Sequence, residues 1–248
     1  FGQTCFESGS VKNTYGTGCF LLMNTGNKII HSKQGLLSCV GWKIHDEVNY
    51  VLEGSVFVAG AVIQWLRDGL QIIRTSGETD FRARQAASSD GVIVVPSFTG
   101  LGAPYWKAQV KGAMFGLTRG TNQEHIIRAT LESLAYQTND VLIAMCEDSQ
   151  MDILSMQVDG GASKNDFLMQ FQSDISNTVI RRSLISESTA LGAAYLAGLA
   201  VGYWHDKEEI KLYHMIKDQF ESHMNETERK KRLERWKKAI EGVIYFGN

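Results

Sequence analysis

Apolar and polar positions alternate through the first fifth of the chain, and Gly- and Asn-containing turns break the alternation. Residues 11–15, 19–24, 28–32, 36–44 and 47–52 carry β-branched and aromatic side chains at the period of two that a half-buried strand requires. The spacing predicts a meander of antiparallel hairpins. From 55 to 73 the period lengthens to that of a helix, with Val58, Val62, Trp65, Leu66 and Ile73 on one side. A polar stretch, 74–90, predicts a short helix with loops. A compact apolar strand follows at 91–96, and then a glycine-punctuated loop at 97–106.

The second half alternates in larger units. A long amphipathic helix is predicted over 122–147, a strand over 153–158, a helix over 164–175, a strand over 178–181 and a helix over 189–201. Strand–helix–strand–helix after a run of hairpins argues for an α/β layered sheet. The uncharged segment 188–204, rich in Ala and Gly, predicts a buried, closely packed helix. The last stretch, 205–248, predicts a mostly charged helical tail packed on a main domain of 1–204. Leu233, Trp236, Ile240 and Val243 form its docking face, and Asn225 with Glu228 resembles a capping box.

Composition narrows the function classes. Apolar residues make up 44% of 248 positions and charged residues 21%, which is globular rather than disordered. The formal charge of −2 gives no basic excess of the kind that drives nucleic-acid binding. No window has the ~18–20 apolar residues of a membrane span. Four cysteines, Cys5, Cys19, Cys39 and Cys146, show neither CxxC pairing nor His at zinc spacing, as for reduced thiols in a cytoplasmic protein. The first residue is Phe1, and the expectation is a piece of a longer chain.

Three segments have a composition that chemistry could use. Gly16-Thr17-Gly18 sits between two strand runs without a P-loop lysine; it reads as a hairpin tip whose amides and Thr17 hydroxyl could meet an anion. Asp159-Gly160-Gly161 turns from a strand into a helix, with Asn165 in the first turn, where a nucleotide fits in α/β folds. Ala59-Gly60-Ala61 thins a helix of large apolar side chains, at a cost of about 1 kcal/mol for the glycine, with Gln64 one turn on. Taken alone, each glycine turn reads first as an ordinary structural turn, and the thinned helix as a helix–helix contact. Together they form three walls of a possible nucleotide site. No metal cluster and no Ser–His–Asp set is visible.

The segments "KNTYGTGCFLLMNTG", "YVLEGSVFVAGAVIQWLRD", "VVPSFTGLGAPYW", "DGGASKNDFLMQFQSDI" and "TALGAAYLAGLAVGYW" closely resemble the C-terminal domain of the FGGY carbohydrate kinase family, in its glycerol kinase branch. The resemblance implies a ribonuclease H-like, actin-like ATPase domain, a mixed sheet with helices on both faces. It implies that Thr17, with Gly16 and Gly18 shaping its hairpin, contacts the phosphates of ATP or ADP. Gly60 and Gln64 would line the nucleoside side, and Gly160, Gly161 and Asn165 the adenine and ribose. Phe20 would pack on the carbon skeleton of glycerol. It further implies transfer of the γ-phosphoryl group to a glycerol hydroxyl with Mg²⁺. The base and most Mg²⁺ ligands would lie in an N-terminal domain before Phe1, so no catalytic or metal residue is assigned here and the 248 residues alone should be inactive. Homo-oligomers are implied as partners, nucleic acid and membrane are not. The stretch "ESHMNETER" departs at its start from the family's docking segment for a sugar-uptake regulator, so that partner is not assigned. A kinase for another polyol or sugar, and a non-catalytic nucleotide-binding module, stay open as alternatives.

Overall fold

The computed structural model describes residues 1–247. Its framework is a seven-stranded sheet. Strands β1 (Val11–Tyr15), β2 (Cys19–Gly26), β3 (Leu37–Ile44) and β4 (Glu47–Val56) come first. Helices α1 (Gly60–Asp68) and α2 (Glu78–Gln85) follow, then the small two-stranded sheet of β5 (Ile93–Val95) and β6 (Ala113–Phe115). The long α3 (Gln123–Ser149) leads to β7 (Ser155–Asp159), a 3-10 turn (Ala162–Lys164), α4 (Asp166–Ser176) and β8 (Val179–Ser183). Next come α5 (Ser188–Ala200), α6 (Lys207–Tyr213), β9 (Ile216–Phe220) and α7 (Glu226–Gly247).

The strand order is β3-β4-β2-β1-β7-β8-β9. β1, β2, β4 and β3 pair antiparallel, whereas β7 and β8 run parallel to β1. An antiparallel meander extended by parallel strands with helical crossovers is the ribonuclease H-like arrangement of the actin-like ATPases. Alternation in β1 and β2 sends Val11, Tyr15, Cys19, Leu21 and Met23 into a main core shared with α3 and α4. On the opposite face a smaller core gathers Phe6, Trp42, Tyr195 and Ile210, with Phe1 edge-on to Trp42.

Five sequence expectations change. Residues 28–32 form no strand; Asp148, near the end of α3, instead accepts the Lys33 amide at 2.9 Å and the Ser32 hydroxyl, and ties the segment down as a loop. The helix expected over 55–73 is shorter at both ends. Ser55 and Val56 continue β4 opposite Phe20 and Cys19, and the helix stops before Gly69. The strand β6 has too little periodicity to be read from sequence. The uncharged helix α5 is buried on one side rather than all round: Ser188, Gly192 and Tyr195 are buried, Leu191, Leu196 and Leu199 pack partly buried against the smaller core, and Ala190, Ala193, Ala194, Ala197 and Ala200 face outward. Its docking is close because Gly192 lies against Gly2, where a Cβ would come within 2.8 Å of the Gly2 nitrogen. Finally, 205–248 is not purely helical. β9 closes the edge of the main sheet by pairing with β8. α7 docks through Trp236, Ile240 and Val243 as expected, and Asn225 caps it, accepting the Glu228 amide at 2.9 Å.

α7 is also held by a carboxylate. Asp140 Oδ2, on α3, accepts from Trp236 Nε1 at 2.7 Å and from the Tyr105 hydroxyl at 2.9 Å. Burial outweighs those two donors and pushes the Asp140 carboxyl up to about 7. Because the folded-state pKa lies above the unfolded one, the neutral acid favours folding, and its contribution is lost as pH rises from about 4 through 7. Asp140→Asn, which keeps an acceptor for both donors, should match wild type in urea midpoint at pH 4 and exceed it increasingly up to pH 8.

Candidate functional site

Four chain segments meet at the carboxyl end of β1 and β7 and form three walls. The β1–β2 hairpin sets the first wall. Its carbonyls, not a side chain, cap α1: the Gly16 oxygen accepts the Gly60 amide at 2.9 Å, and the Thr17 oxygen accepts the Ala59 and Ala61 amides at 2.8 and 3.1 Å. These are amides that a helix start otherwise leaves without partners. Ala59 at the N-cap offers no side-chain acceptor. The contact requires glycine at 60, because a Cβ there would sit 2.6 Å from the Gly16 oxygen.

The second wall is the β7–α4 turn. Gly160 adopts φ +86° and packs against the Tyr15 backbone, which carries the chain around the end of β7. Gly161 begins the 3-10 turn, and nothing lies within 4 Å of where its Cβ would be. Asn165 is the N-cap of α4 rather than a first-turn residue; its Oδ1 accepts the Leu168 amide at 2.9 Å. Arg182 fixes this wall from below. It donates to the Ser163 carbonyl at 2.8 Å, pairs with Asp166 at 2.8 Å and reaches Asp218 on β9 at 2.7 Å.

The third wall comes from α2. Asp80 Oδ2 accepts the Phe167 amide at 2.8 Å and Oδ1 pairs with Arg84 at 2.6 Å. Burial alone would raise the Asp80 carboxyl, but Arg84 and the amides at the start of α4 hold it below the usual range. Thr79, beside it, takes the Asn165 Nδ2 hydrogen bond at 3.0 Å.

The walls enclose a cavity of about 450 Å³. Gly16, Thr17, Gly60, Gln64, Gly161 and Asn165 line it, so six of the nine residues singled out from sequence converge. Gly18 and Gly160 lie beneath the lining. Gly18 is buried against the Val56 carbonyl, which occupies the place a Cβ would take, so protein backbone excludes a side chain there. The Gly16 amide donates to the Gly18 carbonyl at 2.9 Å, so the hairpin tip does not offer that amide to the cavity. Phe20 does not line the cavity; its ring is 48% exposed, opposite the core-facing Cys19 and Leu21. Sequence reasoning missed Arg67, Thr79, Asp80 and Lys164 in the lining. Arg67 follows Gln64 by three on one helix face, a usable signal. The α2 residues carry none. Among the described residues no cluster of three His, Cys, Asp or Glu is placed to hold a metal, and none of the helices is long and apolar enough to cross a membrane.

Residues 11–201 match the FGGY family of carbohydrate kinases, C-terminal domain. The chain belongs to this family. Over 246 residues it is 58% identical to a glycerol kinase of Bacillus licheniformis, 56% to one of Geobacillus sp. and 55% to one of Thermus thermophilus. Each comparison covers 99% of this chain and 50% of the relative, so the chain spans about half the length of the curated relatives it matches. The crystal structure of Plasmodium falciparum glycerol kinase with ADP superimposes with a TM-score of 0.92 at 39% identity, over 98% of this chain and 48% of that one. A ligand-bound xylulose kinase from Lactobacillus acidophilus, 23% identical with a TM-score of 0.82 over 97% of this chain and 48% of that one, shares the fold. Within the FGGY domain the glycines thus divide into those packed against protein backbone, Gly18, Gly60 and Gly160, and those open to space, Gly16 and Gly161.

That division predicts stability. Gly18→Ala and Gly60→Ala should each destabilise by about 1–3 kcal/mol, the usual cost of overpacking. Gly161→Ala, at φ −63° and ψ −45°, should leave the melting temperature unchanged or raise it. Thermal denaturation of the three variants checks both.

Proposed function

We propose that the chain is the nucleotide-binding half of an ATP-dependent glycerol kinase, which in the intact protein transfers the γ-phosphoryl group to a glycerol hydroxyl. The observation that carries this reading is the convergence on one cavity of three segments separated by over forty and by nearly one hundred residues: Gly16-Thr17, Gly60 to Gln64, and Gly161 to Asn165. The glycerol kinase relatives at 55–58% identity and the ADP-bound structure of the Plasmodium enzyme support the choice of ligand and acceptor.

In this reading Thr17, exposed at the hairpin tip, directs its hydroxyl to the phosphates, and Gly16 beside it gives them room. Gly60 and Gln64 line the nucleoside side. Gly161 leaves open the space that the base and ribose fill, and Asn165 offers hydrogen bonds there. Gly18 and Gly160 hold the two turns in shape. Phe20, exposed on the face of β2 away from the main core, meets the carbon skeleton of glycerol. Phosphoryl transfer depends on positioning and on neutralising charge, for which the family uses Mg²⁺. The cavity lining does not fit a Mg²⁺ site: its one carboxylate, Asp80, is committed to Arg84 and the Phe167 amide. No step of transfer is therefore assigned to these residues beyond binding and orienting the nucleotide.

Calorimetric titration of the full chain with ADP should show one site. Gly161→Val, which fills the open space, should weaken it about tenfold or more. Residues 1–248 alone should form no glycerol 3-phosphate from ATP and glycerol. Unaltered ADP affinity in Gly161→Val, or turnover by this stretch, contradicts the assignment.

A further inference from the structure

Asn165 has two duties, capping α4 and lining the cavity, and its carboxamide is held at both ends. Its Oδ1 accepts the Leu168 amide at 2.9 Å and its Nδ2 donates to Thr79 Oγ1 at 3.0 Å. Thr79 is fully buried, and its own hydroxyl proton is committed to the Ser76 carbonyl at 2.6 Å. With that proton committed, Thr79 can only accept from Asn165. Turning the carboxamide over would set its NH₂ against the Leu168 N–H and its oxygen against the Thr79 lone pairs. Both contacts would be repulsive, so one orientation survives. One N–H and one carbonyl lone pair of Asn165 then remain for whatever enters the cavity, in a fixed order.

Thr79 itself is held by the start of α2, and the next residue, Asp80, accepts the Phe167 amide at 2.8 Å. The α2 segment thus grips the first turn of α4 at two adjacent points. Thr17 belongs to the opposite wall, so this grip acts at the end of the cavity away from the hairpin.

We propose that Thr79 is a positioning residue for recognition of the nucleoside: by accepting from Asn165 it fixes which edge of that carboxamide the base and ribose meet. This role rests on the cavity being a nucleotide site. Because Thr79 acts at the nucleoside end, its loss should change affinity without changing the chemical step.

The test uses the intact protein of the proposed function, N-terminal half included, with Thr79→Val, Thr79→Ser, Asn165→Ala and the Thr79→Val/Asn165→Ala pair. Thr79→Val should weaken ADP binding and raise KM for ATP by about five- to tenfold, with kcat unchanged. Thr79→Ser, which keeps the acceptor, should stay within about twofold of wild type. Adding Thr79→Val to Asn165→Ala should bring no further loss, because the two act through one contact. If Thr79→Val does not fold, Thr79→Cys, a weak acceptor of similar size, carries the same comparison. ADP affinity equal to wild type in Thr79→Val, a parallel fall in kcat, or full additivity with Asn165→Ala overturns the role of Thr79 while leaving the nucleotide site standing. Absence of ADP binding by wild type instead removes the site itself, and this inference with it.

Discussion

The acceptance of the first amides of α1 by the carbonyls of Gly16 and Thr17 is the constraint on which the candidate site depends. A helix start must find partners for its free N–H groups, and a buried one cannot leave that to water. Here a hairpin tip supplies them, so hairpin and helix are one rigid unit. The arrangement admits no side chain at position 60 and none at position 18, since both Cβ positions are occupied by backbone oxygens at contact distance. The resulting wall has its geometry set by backbone alone, with Thr17 and Gln64 as its projecting polar groups.

The other end of the cavity is built by a different means. There the turn after β7 and the start of α4 are fixed by polar side chains whose hydrogen bonds are nearly all accounted for. Arg182 reaches beneath the turn to two carboxylates and a carbonyl, while Asp80 and Thr79 hold the first amides and the N-cap of α4. In the low dielectric of a partly buried site such bonds orient more strongly than they would in water. One wall thus owes its rigidity to the absence of side chains and the facing wall to their saturation.

Much of this was legible in the amino-acid sequence because glycine is an unusual choice in strands and helices. Gly60, read as inside an apolar helix and found as the first residue of α1, and Gly160-Gly161 at a strand end both signalled a demand for space. The reason for the demand was not legible. At Gly60 it is a neighbouring carbonyl, whereas at Gly161 it is open volume, and no one-dimensional pattern separates the two. Strand and helix order came through since alternation and the longer period reflect which side is buried. The burial of α5 was misjudged because an uncharged run reports apolarity on all sides, yet only one side has a neighbour. Residues 28–32 carry strand-like side chains but have no partner strand. Thr79 and Asp80 lie in a polar stretch with no periodicity, and their role arises only when α2 folds back over α4.

The reach of Arg182 across the β8–β9 pair has a practical side for anyone trimming this molecule. A boundary drawn after residue 204, where the glycine-rich motifs stop, would delete Asp218 and leave a guanidinium under the β7–α4 turn with half its counterions gone. The last fifth of the polypeptide is therefore no detachable appendage: shortened clones would forfeit the order of the cavity well before losing any residue that borders it.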